Sequence, residues 1–121
     1  MSKHSFKGLG VALVTPFTET NKVDYKSLER LVEHLLRDRA TDFLVVHGTT
    51  GESPCLTRQE RDAVTEQIVK QVAGRCPIMV GLGGNNTLET AERIAAMQTR
   101  GIDGILSVVP YYNKPSQEGI Y

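Results

Sequence analysis

Phe43-Leu44-Val45-Val46-His47-Gly48-Thr49-Thr50-Gly51-Glu52-Ser53 is a short apolar run that breaks directly into glycines and hydroxyls. Further along, Ile105-Leu106-Ser107-Val108-Val109 runs into Pro110-Tyr111-Tyr112-Asn113-Lys114-Pro115 in the same way. As parallel strands, both runs would carry their polar signatures at their C-terminal ends, on one rim of one sheet. That rim is where α/β proteins place their chemistry.

Working outward, two more runs fit the plan. Val11-Ala12-Leu13-Val14 is closed by Thr15-Pro16-Phe17, and Pro77 opens Ile78-Met79-Val80-Gly81-Leu82. Between the strands the period changes to that of helices. Asp24 caps a first helix whose apolar face is Tyr25, Leu28, Leu31, Val32, Leu35 and Leu36. Thr57-Arg58-Gln59-Glu60 is a capping box for a second, with Val64, Ile68 and Val72 as its buried stripe and Gly74 at its end. Thr87 caps a third, with Leu88, Ala91, Ile94, Ala95 and Met97 facing inward and Gly101 closing it. Ser116 to Tyr121 begins a fourth.

Strands thus recur about every 30 residues, the length of one βα unit. Continuous apolar strands predict a parallel sheet covered on both faces. The expected architecture is α/β: a single domain over 1–121 that forms the N-terminal half of a (β/α)₈ barrel, a fold of about 250 residues. Such a half, taken alone, leaves its outer strands as unpaired edges and its core open on one side.

Composition sets limits on function. The 14 basic and 14 acidic side chains cancel without a local cluster, which argues against nucleic acid. No apolar run approaches the roughly 20 residues that span a bilayer, so no membrane partner is expected. Met1 to Lys7 is followed by no apolar segment of a secretory signal. Two cysteines, Cys55 and Cys76, are too few for a disulfide framework and suit a reducing cytoplasm. Cys55 has no His or Asp beside it and is expected to pack. His4, His34 and His47 lack metal-ligand spacing, so no metal and no cofactor are expected. His47 should be packed or hydrogen-bonded. Gly81-Leu82-Gly83-Gly84-Asn85-Asn86 follows a strand, but Asn86 stands at the third glycine position of a dinucleotide loop.

The two rim signatures carry the chemistry. Adjacent Thr49 and Thr50 can hold a carboxylate and relay a proton, and Gly48 and Gly51 bring backbone N–H groups close. The alternative is a turn whose hydroxyls satisfy their own backbone. Tyr111 and Tyr112, between two prolines, put phenolic hydroxyls near the rim, although a ring packed beneath a loop would look the same.

Ala12-Leu13-Val14-Thr15-Pro16-Phe17, Gly48-Thr49-Thr50-Gly51-Glu52-Ser53 and Tyr111-Tyr112-Asn113-Lys114-Pro115-Ser116, in this order and spacing, resemble the dihydrodipicolinate synthase family of pyruvate-dependent Schiff-base aldolases. The resemblance covers essentially the whole chain but only the N-terminal part of the family's polypeptide. Gly-Thr-Thr followed by Tyr-Tyr-Asn-Lys-Pro-Ser favours the synthase over the sialic-acid lyase branch. It implies condensation of pyruvate with aspartate semialdehyde in the diaminopimelate–lysine pathway, by a homo-oligomer that is a dimer of dimers. Thr49 matches the proton-relay threonine, Thr50 the residue holding the pyruvate carboxylate, and Tyr112 the relay tyrosine that reaches a neighbouring subunit. The imine-forming lysine should lie beyond Tyr121, so the 121 residues alone are expected to be inactive.

Many members are inhibited by lysine at an interface cleft, which Ser53, Pro54, Arg58, Asn85, Glu89 and Tyr111 match. Glu89 reads equally well as a first-turn acid stabilised by the helix dipole. Two rivals stand beside the synthase. One is a sister enzyme such as a 2-keto-3-deoxy sugar-acid aldolase. The other is a half-barrel or flavodoxin-like fragment acting only as an assembly module.

Overall fold

The computed structural model describes residues 5–97 and 101–121. Lys3 and His4 lie outside them. The elements run β1 (Gly10–Ala12), α1 (Tyr25–Arg37), β2 (Phe43–Val46), two 3₁₀ turns (Thr49–Gly51 and Ser53–Cys55), α2 (Arg58–Val72), β3 (Ile78–Gly81), α3 (Thr87–Met97), β4 (Gly104–Leu106) and α4 (Gln117–Ile120). All three strand pairings are parallel, in the order β1-β2-β3-β4. Each strand therefore pairs with the next in sequence, and the sheet never reverses. Doubly wound sheets such as the flavodoxin-like fold reverse at a switch point, whereas a barrel winds in one direction.

Register places the strands' side chains in two sets. Val11, Leu44 and Ile78 form one cross-strand row, and Val46, Val80 and Ile105 form the row two residues on. Apart from half-buried Val11, these rows share a core with Leu13, Leu82, Leu28 and Val32 of α1, and Val64, Ile68 and Val72 of α2. The alternate residues Ala12, Val45, Met79 and Gly104 form a row on the opposite face. There Ala12 and Leu106 are exposed, and Val45 and Met79 are half-buried. One face is thus covered and the other largely open, where continuous apolar strands predict cover on both. At the strands' N-terminal end Phe6 and Phe43 meet edge to face, centroids 5.3 Å apart. Gly10 and Gly104 make room for these rings: a Cβ would lie 2.1 Å from the Phe43 ring and 2.7 Å from the Phe6 ring respectively.

Three expected features shift. β1 and β4 are shorter than the runs 11–14 and 105–109, because the ladder between β1 and β2 ends where His47 turns left-handed (φ 58°) and β4 pairs on one side only among the described residues. The α3 cap is Asn86, whose Oδ1 accepts from the Glu89 backbone N–H (3.2 Å), and not Thr87, which is the first helical residue. The expected inner face of α3 is mostly bare: Met97 is buried and Ile94 half-buried, while Leu88, Ala91 and Ala95 are exposed.

The other two helices start as their sequences dictate. Asp24 accepts from the Ser27 N–H, and the Thr57–Glu60 box closes in both directions. Helix α2 turns left-handed at Ala73 (φ 48°), one residue before Gly74. Polar side chains of α2 and of the turn after it also reach α1 at every fourth residue. Gln67 Nε2 donates to the Tyr25 carbonyl (3.0 Å), Gln71 Nε2 to the Glu29 carbonyl (2.8 Å), and the Arg75 guanidinium grips both Glu33 oxygens (3.2 and 2.9 Å). This ladder fixes the register of the two helices beside the core they share.

Candidate functional site

The chain leaves β2 through an unusual sequence of turns. His47 is left-handed, Gly48 is extended, Thr49–Gly51 coils into a 3₁₀ turn, and Glu52 (φ 52°) is left-handed again before the second turn. Two contacts hold the loop to β1. The Thr15 hydroxyl donates to the Gly51 carbonyl (2.7 Å, buried), and a Cβ at Gly51 would come within 3.0 Å of the Leu13 carbonyl oxygen. Glycine at 51 thus suits a close approach that a Cβ would crowd. Thr49 and Thr50 stand exposed at the rim, and neither hydroxyl has a hydrogen-bond partner among the described residues. This differs from a turn whose hydroxyls satisfy their own backbone, and it leaves both groups able to donate to and accept from a ligand.

At the end of β4 the second signature is pinned from the neighbouring loop. Asn85 Oδ1 accepts from the Tyr111 N–H (2.7 Å), and the Asn113 N–H closes a turn on the Tyr111 carbonyl (2.9 Å). Tyr112 is left-handed (φ 70°) and 92% exposed. A non-glycine residue in that region costs about 1–2 kcal/mol, a strain that concentrates at functional positions. Thr49 and Tyr112 thus share the rim without a hydrogen bond between them. Lys114 is also left-handed (φ 45°) and exposed.

Gly81 and Gly83 serve packing. A Cβ at Gly81 would lie 2.2 Å from the His47 carbonyl oxygen, and one at Gly83 would lie 2.6 Å from Val108 Cγ1. The glycines let the ends of β2, β3 and β4 close up, which accounts for this loop without a dinucleotide. Cys55 is exposed in the second 3₁₀ turn, contrary to the packing role expected of it, and Cys76 is buried. Among the described residues no cluster of three His, Cys, Asp or Glu could hold a metal ion. No described helix is long and apolar enough to cross a membrane.

A cleft of about 650 Å³ opens between these loops and the start of α2. It gathers three of the six residues matched to a regulatory cleft, Ser53, Pro54 and Tyr111. Arg58 lines a small neighbouring hollow with Asp62 and Arg93, Asn85 is engaged with Tyr111, and Glu89 sits exposed in the first turn of α3. Sequence reading missed Arg61 and Arg93, which line the cleft, because arginines on a polar helix face look merely solvated. One signal was present: Thr65 falls in the buried part of α2, and a hydroxyl there implies a polar partner. That partner is His47, whose Nε2 lies 3.0 Å from Thr65 Oγ1. His47 is packed and hydrogen-bonded as expected, and burial above all holds its pKa below the ordinary histidine value.

The family model described as the Dihydrodipicolinate synthetase family matches residues 5–121. The chain belongs to the dihydrodipicolinate synthetase family. The 4-hydroxy-tetrahydrodipicolinate synthase of Porphyromonas gingivalis is 51% identical over 121 residues, covering 100% of this chain and 40% of the relative. The dihydrodipicolinate synthase of Aquifex aeolicus superposes with a TM-score of 0.87 at 50% identity, over 95% of this chain and 39% of the other. That of Cyanidioschyzon merolae, solved with lysine bound, gives 0.86 at 44% identity, over 98% of this chain and 40% of the other. The chain spans about 40% of the length of these relatives. Its one-way sheet is the N-terminal, α/β part of the dihydrodipicolinate synthetase barrel.

Proposed function

We propose that the protein carrying these residues condenses pyruvate with aspartate semialdehyde through a lysine imine, giving 4-hydroxy-tetrahydrodipicolinate. The observation that carries this reading is the rim loop of β2, in which Thr49 and Thr50 present unengaged hydroxyls on a backbone locked at Gly51. In this reading Thr50 and the loop N–H groups bind the pyruvate carboxylate. Thr49 and Tyr112 pass the protons that leave the lysine amine and join the departing water as the imine forms. The synthase names of the relatives favour this over a sugar-acid aldolase or an assembly module.

The imine lysine is assigned to none of the described lysines. Lys7, Lys22, Lys26, Lys70 and Lys114 are all exposed, and an imine-forming amine needs the desolvation or cationic neighbour that lowers its pKa. It belongs instead to the part of the family's length that this chain does not span. Further elements of this reading are a single barrel domain that includes 1–121, a cytoplasmic setting and a homotetramer in which Tyr112 completes a neighbour's site. Ser53, Pro54, Arg58, Asn85, Glu89 and Tyr111 border a regulatory cleft beside that site.

Borohydride reduction in the presence of pyruvate, followed by intact-mass spectrometry, tests the reading. A covalent reduced pyruvyl adduct on one lysine is expected, and its absence from the protein would overturn the imine mechanism. Thr49→Val and Tyr112→Phe should each lower kcat by about 10²–10⁴-fold, the usual contribution of a positioned proton donor or acceptor.

A further inference from the structure

Past Ala12 and Val45 the chains of β1 and β2 part. Among the described residues their last backbone hydrogen bond runs from the Leu13 N–H to the Val45 carbonyl (2.9 Å). The next tie is a side chain: the Thr15 hydroxyl, on a residue 7% exposed, donates to the Gly51 carbonyl across 36 positions of sequence (2.7 Å). That carbonyl has no local donor. Pro54 stands three residues on, where a 3₁₀ turn would supply an N–H, and proline has none. The Cys55 N–H, one residue further, is spent on the Glu52 carbonyl (2.8 Å). A buried carbonyl needs a donor, and here the chain leaving β1 supplies it from outside the loop.

Thr15 is itself held from both sides. Pro16 biases it to extended backbone, and the Pro16 carbonyl accepts from the Asp24 N–H (2.8 Å) at the start of α1. The loop between them is closed by the antiparallel bridge of Phe17 with Val23, and Val23 is buried in the core. The anchor therefore belongs to the framework, whereas the groups it serves stand outside it. Thr49 and Thr50 are exposed, and their hydroxyls have no partner among the described residues to fix them. Their placement depends on the backbone of the Thr49–Gly51 turn, whose last carbonyl Thr15 holds.

We propose that Thr15 is a positioning residue for pyruvate capture: by holding the Gly51 carbonyl, its hydroxyl sets where Thr49 and Thr50 present theirs to the substrate. The inference rests on the aldolase reading, in which Thr50 and the loop N–H groups receive the carboxylate. Without the Thr15 donor the Gly51 carbonyl must turn toward water, and the peptide groups of a tight turn move with it. A net hydrogen bond lost at such a point weakens capture about tenfold. The loss falls on free pyruvate, because a covalent bond holds the substrate once the imine has formed.

The test is borohydride trapping of the pyruvyl adduct on the full-length protein across a range of pyruvate concentrations, read by intact mass. Thr15→Val keeps the shape of the side chain and removes the donor; its half-maximal trapping should need about tenfold more pyruvate, with the same adduct yield at saturation. Thr15→Ser, which keeps the hydroxyl, should trap as the wild type does. If valine is not accommodated, Thr15→Ala against Thr15→Ser makes the same comparison. Thr41 is the control for general loosening, since its buried hydroxyl joins the Leu9 (3.0 Å) and Phe43 (2.6 Å) carbonyls at the other end of the same two strands. Thr41→Val should lower the denaturation midpoint without moving the trapping curve. A Thr15→Val curve that coincides with the wild type, a Thr15→Ser curve displaced as far as that of Thr15→Val, or an equal displacement by Thr41→Val overturns the proposal. Wild-type adduct with an unmoved Thr15→Val curve removes this inference alone, whereas no wild-type adduct removes the aldolase reading and this inference with it.

Discussion

His47 does three things at once: it ends β2 in a left-handed turn, fills the space beneath the rim loop and hydrogen-bonds α2 through Arg61 and Thr65. Burial lowers its pKa below 6.5. The unfolded chain therefore takes up a proton as pH falls through about 6.5 while the folded ring resists, so the unfolded state binds more protons in that window. Stability should fall as pH drops from 7 to 5, and His47→Gln should flatten that slope in urea denaturation. An unchanged slope would count against a buried neutral ring. Gly81 makes the complementary point, since its Cβ would collide with the His47 carbonyl. Gly81→Ala should cost about 1–3 kcal/mol, as overpacking does, read as a lower denaturation midpoint at constant slope. From the sequence both residues were visible, His47 as packed and Gly81 in a glycine-rich loop. The collision that makes this glycine necessary belongs to two strand ends 34 positions apart in the chain.

Helices α1 and α2 show how far local pattern reaches. Their starts were legible because a cap and the helix it closes are neighbours in sequence, as the Asp24–Ser27 and Thr57–Glu60 contacts show. Thr57→Ala should lower stability by about 1 kcal/mol, the usual value of a lost N-cap. Ile68→Ala, at 1% exposure between α2 and the sheet, should cost more, about 2–5 kcal/mol. Thermal or urea unfolding of the two variants would check the order, and a larger loss from the cap than from the core would contradict it. The polar ladder from Gln67, Gln71 and Arg75 to α1 was not legible, because polar residues at helical spacing normally mark a solvated face. Helix α3 failed in the opposite direction. Its apolar spacing predicts a buried face, yet Leu88, Ala91 and Ala95 lack cover, since periodicity tells which side is apolar and not what lies against it.

For the whole molecule the same distinction governs the sheet. The row Ala12, Val45, Met79 and Gly104, with Leu106 above it, is the face that the rest of a closed barrel would cover. A polypeptide confined to residues 1–121 should therefore bind an environment-sensitive hydrophobic dye strongly and self-associate. One extended to the relatives' full length should bind the dye weakly. Equal, weak dye binding by both would show that the open face is masked in some other way. The order of elements, the α/β class, the caps of α1 and α2 and the two rim signatures were determined by the sequence alone, because each rests on residues within a turn or a helical repeat of one another. Tertiary structure decided the one-way strand order, which sheet face is covered, the glycines at the strand junctions, and the meeting of Arg61, Arg93 and His47 in one cleft. These depend on which distant backbones lie side by side, and no local pattern of polarity records that.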